Sequence, residues 1–296
     1  MINDILTLSI ASLRFVIDTR GSDVQITVPR IFNKFLTENS LLGVTHPSTQ
    51  DELFLEIKHD EQILNRGFTK PVCRTKIWEL WLDEKGDFVF VSPRQSPPKL
   101  VYIENNFHKG VIAFDFSLVK GKEIYPLASI DIRIAVNWLA NFGDLVLHAA
   151  GVIVESQGLC FIGSSGAGKS TLVTHIAGQT GTTIMGEDQV ILRYLSGQFW
   201  IFGTPWHEHE DRCSPEGVPL KKVFFVDRSL APGVHPITPS EGVQRVLQTA
   251  FIPYYLPEKL PLILDRLSLL ASTIPMFTIN PVLGSDLSSQ IFDQQI

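Results

Sequence analysis

One eight-residue pattern constrains this chain more than any other. Residues 163–170 read GSSGAGKS and match G-x-x-x-x-G-K-[ST] in full. The apolar run 158–162 before the pattern predicts a buried strand, and the run 171–177 after it continues as a helix. Glycines let several backbone N–H groups point at one anion, and the helix N-terminus adds a partial positive charge. The pattern therefore predicts a nucleoside triphosphate site.

Two side chains of this loop have predicted chemical roles. Lys169 can reach the β- and γ-phosphates, and the Ser170 hydroxyl can ligate Mg²⁺. The predicted ligands are therefore ATP and Mg²⁺. We expect further nucleotide contacts from the other residues of the loop and the first helical turn: Gly163, Ser164, Ser165, Gly166, Ala167, Gly168 and Thr171.

Composition and charge exclude several other classes of protein. The 296 residues carry a formal net charge of −6 and no block of lysine and arginine, which argues against a nucleic-acid partner. No apolar run approaches the roughly twenty residues of a membrane span, and the first residues lack the layout of a signal peptide. Three widely spaced cysteines argue against a disulfide framework. We expect a cytoplasmic protein without membrane contact.

The pattern of elements changes near residue 125. Before it, imperfect alternation over 6–17 and 24–28, a hairpin over 77–91 and a strand over 110–116 predict a β-rich N-terminal domain, residues 1–125. After it, strands and helices mix, which predicts an α/β domain, α+β overall, over 126–296. The predicted elements there are a helix over 130–142, strands over 145–154, 158–162 and 182–185, a hairpin over 189–202, a strand over 221–227, helices over 239–249 and 257–272, and a strand over 276–279.

An acidic pair, Glu187 and Asp188, follows the short strand 182–185 directly after Gly186. If this strand runs beside the strand of the phosphate loop, both carboxylates arrive near the metal and the γ-phosphate. One carboxylate could hold the metal through water, and the other could accept the proton of an attacking hydroxyl. The plainer alternative is a pair of solvated acids at the end of a strand.

His148 lies within the predicted strand 145–154, among small residues. An imidazole in an apolar run is usually a hydrogen-bonded core residue. Here it could instead orient Asp188 or tune the pKa of that carboxyl group.

Three segments together resemble a known family. LHAAGVIV (147–154), GLCFIGSSGAGKST (158–171) and GEDQV (186–190) resemble the catalytic domain of HPr kinase/phosphorylase. They look closer still to the HPr-kinase-like tailoring kinases of peptide biosynthesis, including lasso-peptide clusters. FGTPW (202–206) and the apolar strand near 223–225 fit the same group, so the resemblance covers roughly residues 125–280.

The resemblance implies a P-loop kinase domain of the HPr-kinase/PEP-carboxykinase type. It assigns Asp188, His148 and Lys169 to catalysis and the metal to Ser170 and Glu187. Because related HPr kinases are oligomers, it also allows a homo-oligomer. The family usually has two aspartates where this chain has Glu187 and Asp188, so we assign the base role to Asp188 and the metal role to Glu187. The glycine-rich segment that supports phosphorolysis in HPr kinase is not recognisable, which argues against HPr as substrate.

The polar run 206–213, WHEHEDRC, has several interpretations. His-x-His with a nearby cysteine could bind zinc, although no fourth ligand follows at a regular spacing. A flexible acidic loop that contacts the acceptor or the nucleotide is the favoured interpretation. Trp206 could stack on a base or a peptide, or simply pack. Arg212 or Arg245 could neutralise charge on the transferred phosphoryl group.

Three functions are compatible with these residues. The leading hypothesis is an ATP-dependent kinase for a serine or threonine hydroxyl of a peptide or small protein, such as a precursor peptide of natural-product biosynthesis. The second is a kinase for a small metabolite hydroxyl. The third is a nucleotide-gated module in which the N-terminal domain grips a peptide without phosphoryl transfer.

Overall fold

The computed structural model describes residues 5–20, 22, 24–37, 51–62, 71–95, 97–180, 182–207, 209–281 and 291. Within these residues the chain forms several β-sheets and four α-helices, a mixed α/β architecture. The helices are α1 (Asp131–Ala140), α2 (Lys169–Thr180), α3 (Pro239–Leu247) and α4 (Leu260–Thr273). The strands are β1 (Ile5–Ile10), β2 (Leu13–Asp18), β3 (Gln25–Ile26), β4 (Asp51–His59), β5 (Cys73–Arg74), β6 (Glu79–Leu82), β7 (Phe88–Ser92), β8 (Lys99–Ile103), β9 (Lys109–Phe114), β10 (Glu123–Ile124), β11 (Leu145–Leu147), β12 (Ala149–Val154), β13 (Gln157–Ile162), β14 (Thr183–Gly186), β15 (Val190–Leu195), β16 (Gln198–Gly203), β17 (Gly217–Val226), β18 (Gly233–Pro236) and β19 (Met276–Asn280).

The chain divides into two compact units, Met1–Ala135 and Val136–Ile296. The division falls inside α1, whereas the sequence pattern places a boundary ahead of that helix, at 125/126. Within the described part of the chain, no helix combines the length and the apolar character needed to cross a bilayer.

The first unit is built around an eight-stranded sheet with the strand order β1-β2-β4-β9-β8-β7-β6-β5. The predicted hairpin over 77–91 is present as β6 and β7, and the predicted strand over 110–116 as β9. The run 6–17 forms the hairpin of β1 and β2 rather than one long strand, because Ala11 and Ser12 turn the chain with positive φ angles of 51° and 65°.

The second unit contains a nine-stranded sheet whose main path is β11-β15-β16-β17-β13-β12-β14. Strands β13 and β17 are parallel, and Ile162 lies opposite Phe225 at their carboxyl ends. The apolar side chains of β13 alternate between two core clusters, so they point to opposite faces of the sheet. One cluster includes α3 and α4, and the other includes α2, so these helices cover both faces of β13.

One sequence prediction in this unit was wrong, and one arrangement considered for the acidic pair is not the one observed. The run 145–154 is not one strand but two, because the chain bends at His148 between β11 and β12. Strand β14 does not run beside β13, because β12 pairs with both strands and lies between them. Since β12 is antiparallel to each, β13 and β14 point the same way, and both end at the same edge of the sheet.

Candidate active site

The glycine-rich loop connects the end of β13 to the start of α2, so strand, loop and helix follow each other as the pattern predicts. Gly166 and Gly168 have φ angles of +78° and +98°, a region that favours glycine. A Cβ on Gly168 would also overlap the guanidinium of Arg228. The φ angle of Gly168 therefore favours glycine, and any larger residue there would also have to displace the Arg228 guanidinium.

Lys169 is the first residue of α2, and its side chain turns back into the loop. It is only 6% exposed, and its ammonium donates to the carbonyl oxygens of Gly163 at 2.8 Å and Ser164 at 3.2 Å. Burial lowers the pKa of this amine, and the negative charge of Asp188 acts in the opposite direction. The lysine is thus held at the loop by groups that a bound phosphate can replace.

His148 contacts Lys169 directly, with 3.2 Å between the imidazole Nε2 and the lysine Nζ. The bend between β11 and β12 presents the ring there, and the backbone N–H of His148 donates to the Thr249 carbonyl at 2.9 Å. Burial, followed by the charge of Lys169, lowers the pKa of His148. The charge of Asp188 and a hydrogen bond to the Asp188 backbone act in the opposite direction. A neutral ring can accept the lysine N–H at Nε2.

Asp188 lies two residues beyond the end of β14, at the edge where β13 also ends. Its carbonyl accepts a hydrogen bond from the Ala149 N–H at 3.1 Å, and this bond ties the acidic turn to the start of β12. The side chain is half-buried, and its charge acts on the pKa values of His148, Lys169 and His207. One carboxylate therefore lies within electrostatic reach of all three groups.

Glu187 is in a different environment from its neighbour. Its carboxylate is buried and pairs with Arg212, with 2.9 Å between Oε1 and the guanidinium Nη1. The Thr174 hydroxyl on α2 lies 3.5 Å from the same oxygen. Because Thr174 is four residues beyond Ser170 on α2, Glu187 lies close to the helical face that carries Ser170. The metal role of Glu187 stays a prediction, and a cation there would compete with Arg212.

The polar run 206–213 contributes two residues to this region, Arg212 and His207. The sequence suggested Arg212 as a partner of phosphate, but its guanidinium bonds Glu187 instead. His207 was considered only as a zinc ligand. Its ring accepts the Asp188 backbone N–H at 3.3 Å, and Gly186 leaves room for it because a Cβ there would overlap the imidazole. The glycine ahead of the acidic pair was the sequence signal for this close contact.

The described residues include no group of three or more His, Cys, Asp or Glu side chains that could hold a metal ion. The zinc interpretation of the run 206–213 therefore has no support from them, and Glu208 lies outside the described residues. Trp206 packs with a buried indole N–H that has no hydrogen-bond partner within the described chain.

A cavity of about 440 Å³ lies against the outer side of the glycine-rich loop. Arg245 borders it, but this arginine already pairs with Glu241 at 2.9 Å and more distantly with Asp227 at 3.7 Å. Arg228 also borders the cavity, and no described acidic side chain pairs with it. The lining residues are Ile162, Gly163, Ser164, Ser165, Gly166, Ala167, Phe225, Val226, Asp227, Arg228, Arg245, Gln248 and Thr249.

Comparison with known proteins gives little beyond this geometry. No protein family and no curated protein matches the chain. Among solved structures, the chain is similar to the Hpr(Ser) kinase/phosphatase from Coxiella burnetii. The two are 13% identical with a TM-score of 0.27, over 49% of this chain and 85% of the other. A likeness at this level carries no argument about function, which we infer from the site itself.

Proposed function

We propose that this chain is an ATP- and Mg²⁺-dependent phosphotransferase of the HPr-kinase type. It moves the γ-phosphate of ATP to a serine or threonine hydroxyl of a peptide or small protein. The observation that carries the proposal is the convergence of Lys169, His148 and Asp188 beside a glycine-rich loop at the start of a helix. A phosphate-binding loop alone would support nucleotide binding, whereas a lysine, an imidazole and a carboxylate beside it support transfer.

The loop fits a nucleotide because its backbone bends at two glycines and its lysine is held by displaceable carbonyl groups. Ser170 fits one Mg²⁺ as an oxygen ligand, since Mg²⁺ is usually held by one or two protein ligands together with substrate phosphates. When bound, Mg²⁺ neutralises charge on the phosphate oxygens. Glu187 fits less well as a direct ligand, because its Oε1 is paired with Arg212.

The residues of the chain divide the transfer step between them. Asp188 takes the proton of the acceptor hydroxyl as the acceptor oxygen forms its bond to the γ-phosphorus. The bond from that phosphorus to the β–γ bridging oxygen breaks, and ADP leaves with the bond electrons. Lys169 and the N–H groups of the loop stabilise the negative charge on the transferred phosphoryl oxygens. The products are a phosphorylated acceptor and ADP.

His148 holds the lysine in place for this step. Its ring is half-buried, and burial and the neighbouring ammonium both favour the neutral form. A neutral imidazole can accept from Lys169 without adding a second positive charge beside the phosphates.

The resemblance to peptide-tailoring kinases supports a peptide as acceptor, with the β-rich domain predicted over residues 1–125 as the recognition surface. A role in natural-product biosynthesis and a homo-oligomeric state stay predictions on the same ground, and a cytoplasmic location stays a prediction from composition.

Labelled ATP tests the proposal. The purified chain, Mg²⁺ and γ-labelled ATP are mixed with a peptide library that carries one fixed serine or threonine, and separately with small alcohols. We expect label on peptides. Label only on small alcohols would replace the peptide by a metabolite, and ATP binding without transfer would identify a binding module.

The base assignment has a matched pair of variants. We expect Asp188→Asn to lower transfer by about 10²–10⁴-fold, because proton transfer by a positioned carboxylate contributes that much. Asp265→Asn makes the same change on an exposed residue of α4 and should transfer at the wild-type rate. Full activity of Asp188→Asn would disprove the base role.

A further inference from the structure

The segment 203–214 is fastened to the acidic turn at several points. The Ser214 N–H donates to the Met185 carbonyl at 3.1 Å, and the Thr204 hydroxyl donates to the Gln189 carbonyl at 2.8 Å. Between these anchors, Arg212 pairs with Glu187, and His207 contacts the backbone of Asp188. The segment 203–214 therefore holds in place the turn that carries Glu187 and Asp188.

The hydrogen bonds of His207 fix the protonation state of its ring. A backbone N–H can only donate, so Nδ1 accepts from Asp188 and carries no hydrogen. The neutral ring then bears its hydrogen on Nε2, which lies 3.2 Å from the Thr204 hydroxyl oxygen. Since that hydroxyl uses its own hydrogen toward Gln189, it accepts from Nε2. The three donors, the Asp188 N–H, the His207 Nε2–H and the Thr204 hydroxyl, therefore each have one acceptor.

This arrangement holds Asp188 from two sides. Its carbonyl accepts from the Ala149 N–H, and its N–H donates to His207. The first contact ties the residue to β12, and the second ties it to the segment 203–214. With the peptide groups on both sides of the Cα fixed, the direction of the Cα–Cβ bond is fixed as well, and with it the side from which the carboxylate is presented.

We propose that His207 is a positioning residue, which directs the Asp188 carboxylate toward Lys169 and His148 by holding the Asp188 N–H. The inference rests on the proposed function and deepens it, since the resemblance of the sequence assigns His207 no role. The geometry assigns His207 no direct part in proton transfer. Nδ1 already accepts from Asp188 and Nε2 already donates to Thr204, so neither nitrogen is left for the acceptor hydroxyl.

Four variants test this role. His207→Ala removes the acceptor for the Asp188 N–H, while His207→Asn offers a side-chain oxygen near the position of Nδ1. His235→Ala and His235→Asn make the same changes on an exposed histidine of β18 to which no role is assigned. The probe is γ-labelled ATP with the serine and threonine peptide library.

We expect His207→Ala to lower kcat for transfer by about 10–100-fold, because a misplaced catalytic group costs up to that much. The KM for ATP should change by less than about twofold, since the loop and Lys169 are unaltered. His207→Asn should regain most of the activity that His207→Ala loses, and both His235 variants should match the wild type. A His207→Ala protein with wild-type kcat would overturn the inference. If His207→Ala does not fold, His207→Asn alone carries the test, because it keeps an acceptor for the Asp188 N–H. A kcat of His207→Asn as low as that of Asp188→Asn would then overturn the inference.

A second readout does not depend on activity. Nitrogen chemical shifts of ¹⁵N-histidine-labelled protein should show His207 with hydrogen on Nε2 and none on Nδ1. Hydrogen on Nδ1 in an active wild-type protein would overturn the inference and leave the proposed function standing. A wild-type protein that binds ATP but transfers no label would overturn the proposed function and the positioning role with it.

Discussion

The described residues include three buried lysines, Lys99 in the first unit and Lys169 and Lys222 in the second, and Lys99 and Lys169 have different surroundings. Lys99 in the first unit is 3% exposed and donates to the carbonyl of Pro126 at 3.0 Å, beside the charge of Asp131. Lys169 in the second unit is 6% exposed and also donates to carbonyl groups. Burial lowers the pKa of both amines, to about 8 for Lys99. A buried lysine with carbonyl partners therefore does not by itself indicate a catalytic site.

The difference lies in what surrounds each amine. The carbonyl partners of Lys169 belong to a loop that bends at glycines and borders a cavity of about 440 Å³, and its third partner is the imidazole of His148. The partners of Lys99 lie in the segment between β10 and α1, and its neighbouring charge is a buried aspartate. The surroundings of Lys169 therefore include a cavity and an imidazole, whereas those of Lys99 are a chain segment and a buried carboxylate.

Lys169→Met should separate the two roles most clearly. We expect phosphoryl transfer to fall by at least about 10³-fold, because this amine stabilises charge that develops in the transition state. The free energy of unfolding should change by less than about 1 kcal/mol, since the released carbonyl groups face a loop that water can reach. Transfer assays and urea unfolding on the same preparation measure both quantities. If Lys169→Met retained transfer at the wild-type rate, Lys169 would be a buried lysine without a catalytic role, as we expect for Lys99.

Lys99→Met should give the opposite result. Removal of the amine leaves the buried Pro126 carbonyl without its donor, which costs about 1–3 kcal/mol. Because burial of the charged amine is itself unfavourable and lowers its pKa to about 8, the net loss of stability should lie at the lower end of this range, about 1 kcal/mol. Urea unfolding measures the loss. A transfer rate per folded molecule more than tenfold lower would contradict the division of roles.

Two glycines of the loop sharpen the comparison further. Gly166→Ala should cost about 1–2 kcal/mol of stability through its positive φ angle alone, because nothing lies within 4 Å of an added Cβ. Gly168→Ala should cost more and should weaken ATP binding, since its Cβ also meets the Arg228 guanidinium. The double variant Gly168→Ala with Arg228→Ala isolates the second cost. If calorimetry finds equal effects for the two glycines, the arginine does not constrain the loop.

A further effect is a pH dependence of stability that belongs to Lys99. Its pKa of about 8 in the folded chain lies below the value of about 10.4 in the unfolded chain, so the unfolded state binds more protons between these pH values. Stability from this group therefore rises with pH across that window, by at most about 1.4 kcal/mol per pH unit. Unfolding curves from pH 8 to pH 10 should rise more steeply for the wild type than for Lys99→Met. Parallel curves would contradict the burial of a charged amine.

Local patterns predicted the elements that local chemistry decides. The turn between β15 and β16 was readable because Ser196 and Gly197 adopt the positive φ angles that such a turn requires, 51° and 85°. Strand β4 was not among the predicted strands, because its alternation is imperfect. Leu53, Leu55 and Ile57 are buried, but Phe54 lies between the first two, and only Glu56 and Lys58 continue the polar positions.

The errors come from contacts between distant parts of the sequence. The bend at His148 is invisible in an apolar run, because it depends on β11 pairing with β15 while β12 pairs with β13 and β14. The strand order around the loop is equally non-local. In the site, the sequence pattern identified the loop residues and the acidic pair. It could not predict the ion pair between Arg212 and Glu187 or the hydrogen bond from the Asp188 N–H to the His207 ring.

The position of β12 between β13 and β14 has a consequence for any attempt to rebuild this site in another protein. At one end of β12, Ala149 pairs with Ile162 just ahead of the loop and also bonds the Asp188 carbonyl, while Gly151 pairs with Gly186. Deleting one residue from β12 would shift its pairing with β13 or β14 by about 3.3 Å. The side chains of β12 beyond the deletion would then point to the wrong face of the sheet. The loop and the acidic turn can therefore be transplanted only together with the strand that spaces them, as a single module of about forty residues, from β12 to Asp188.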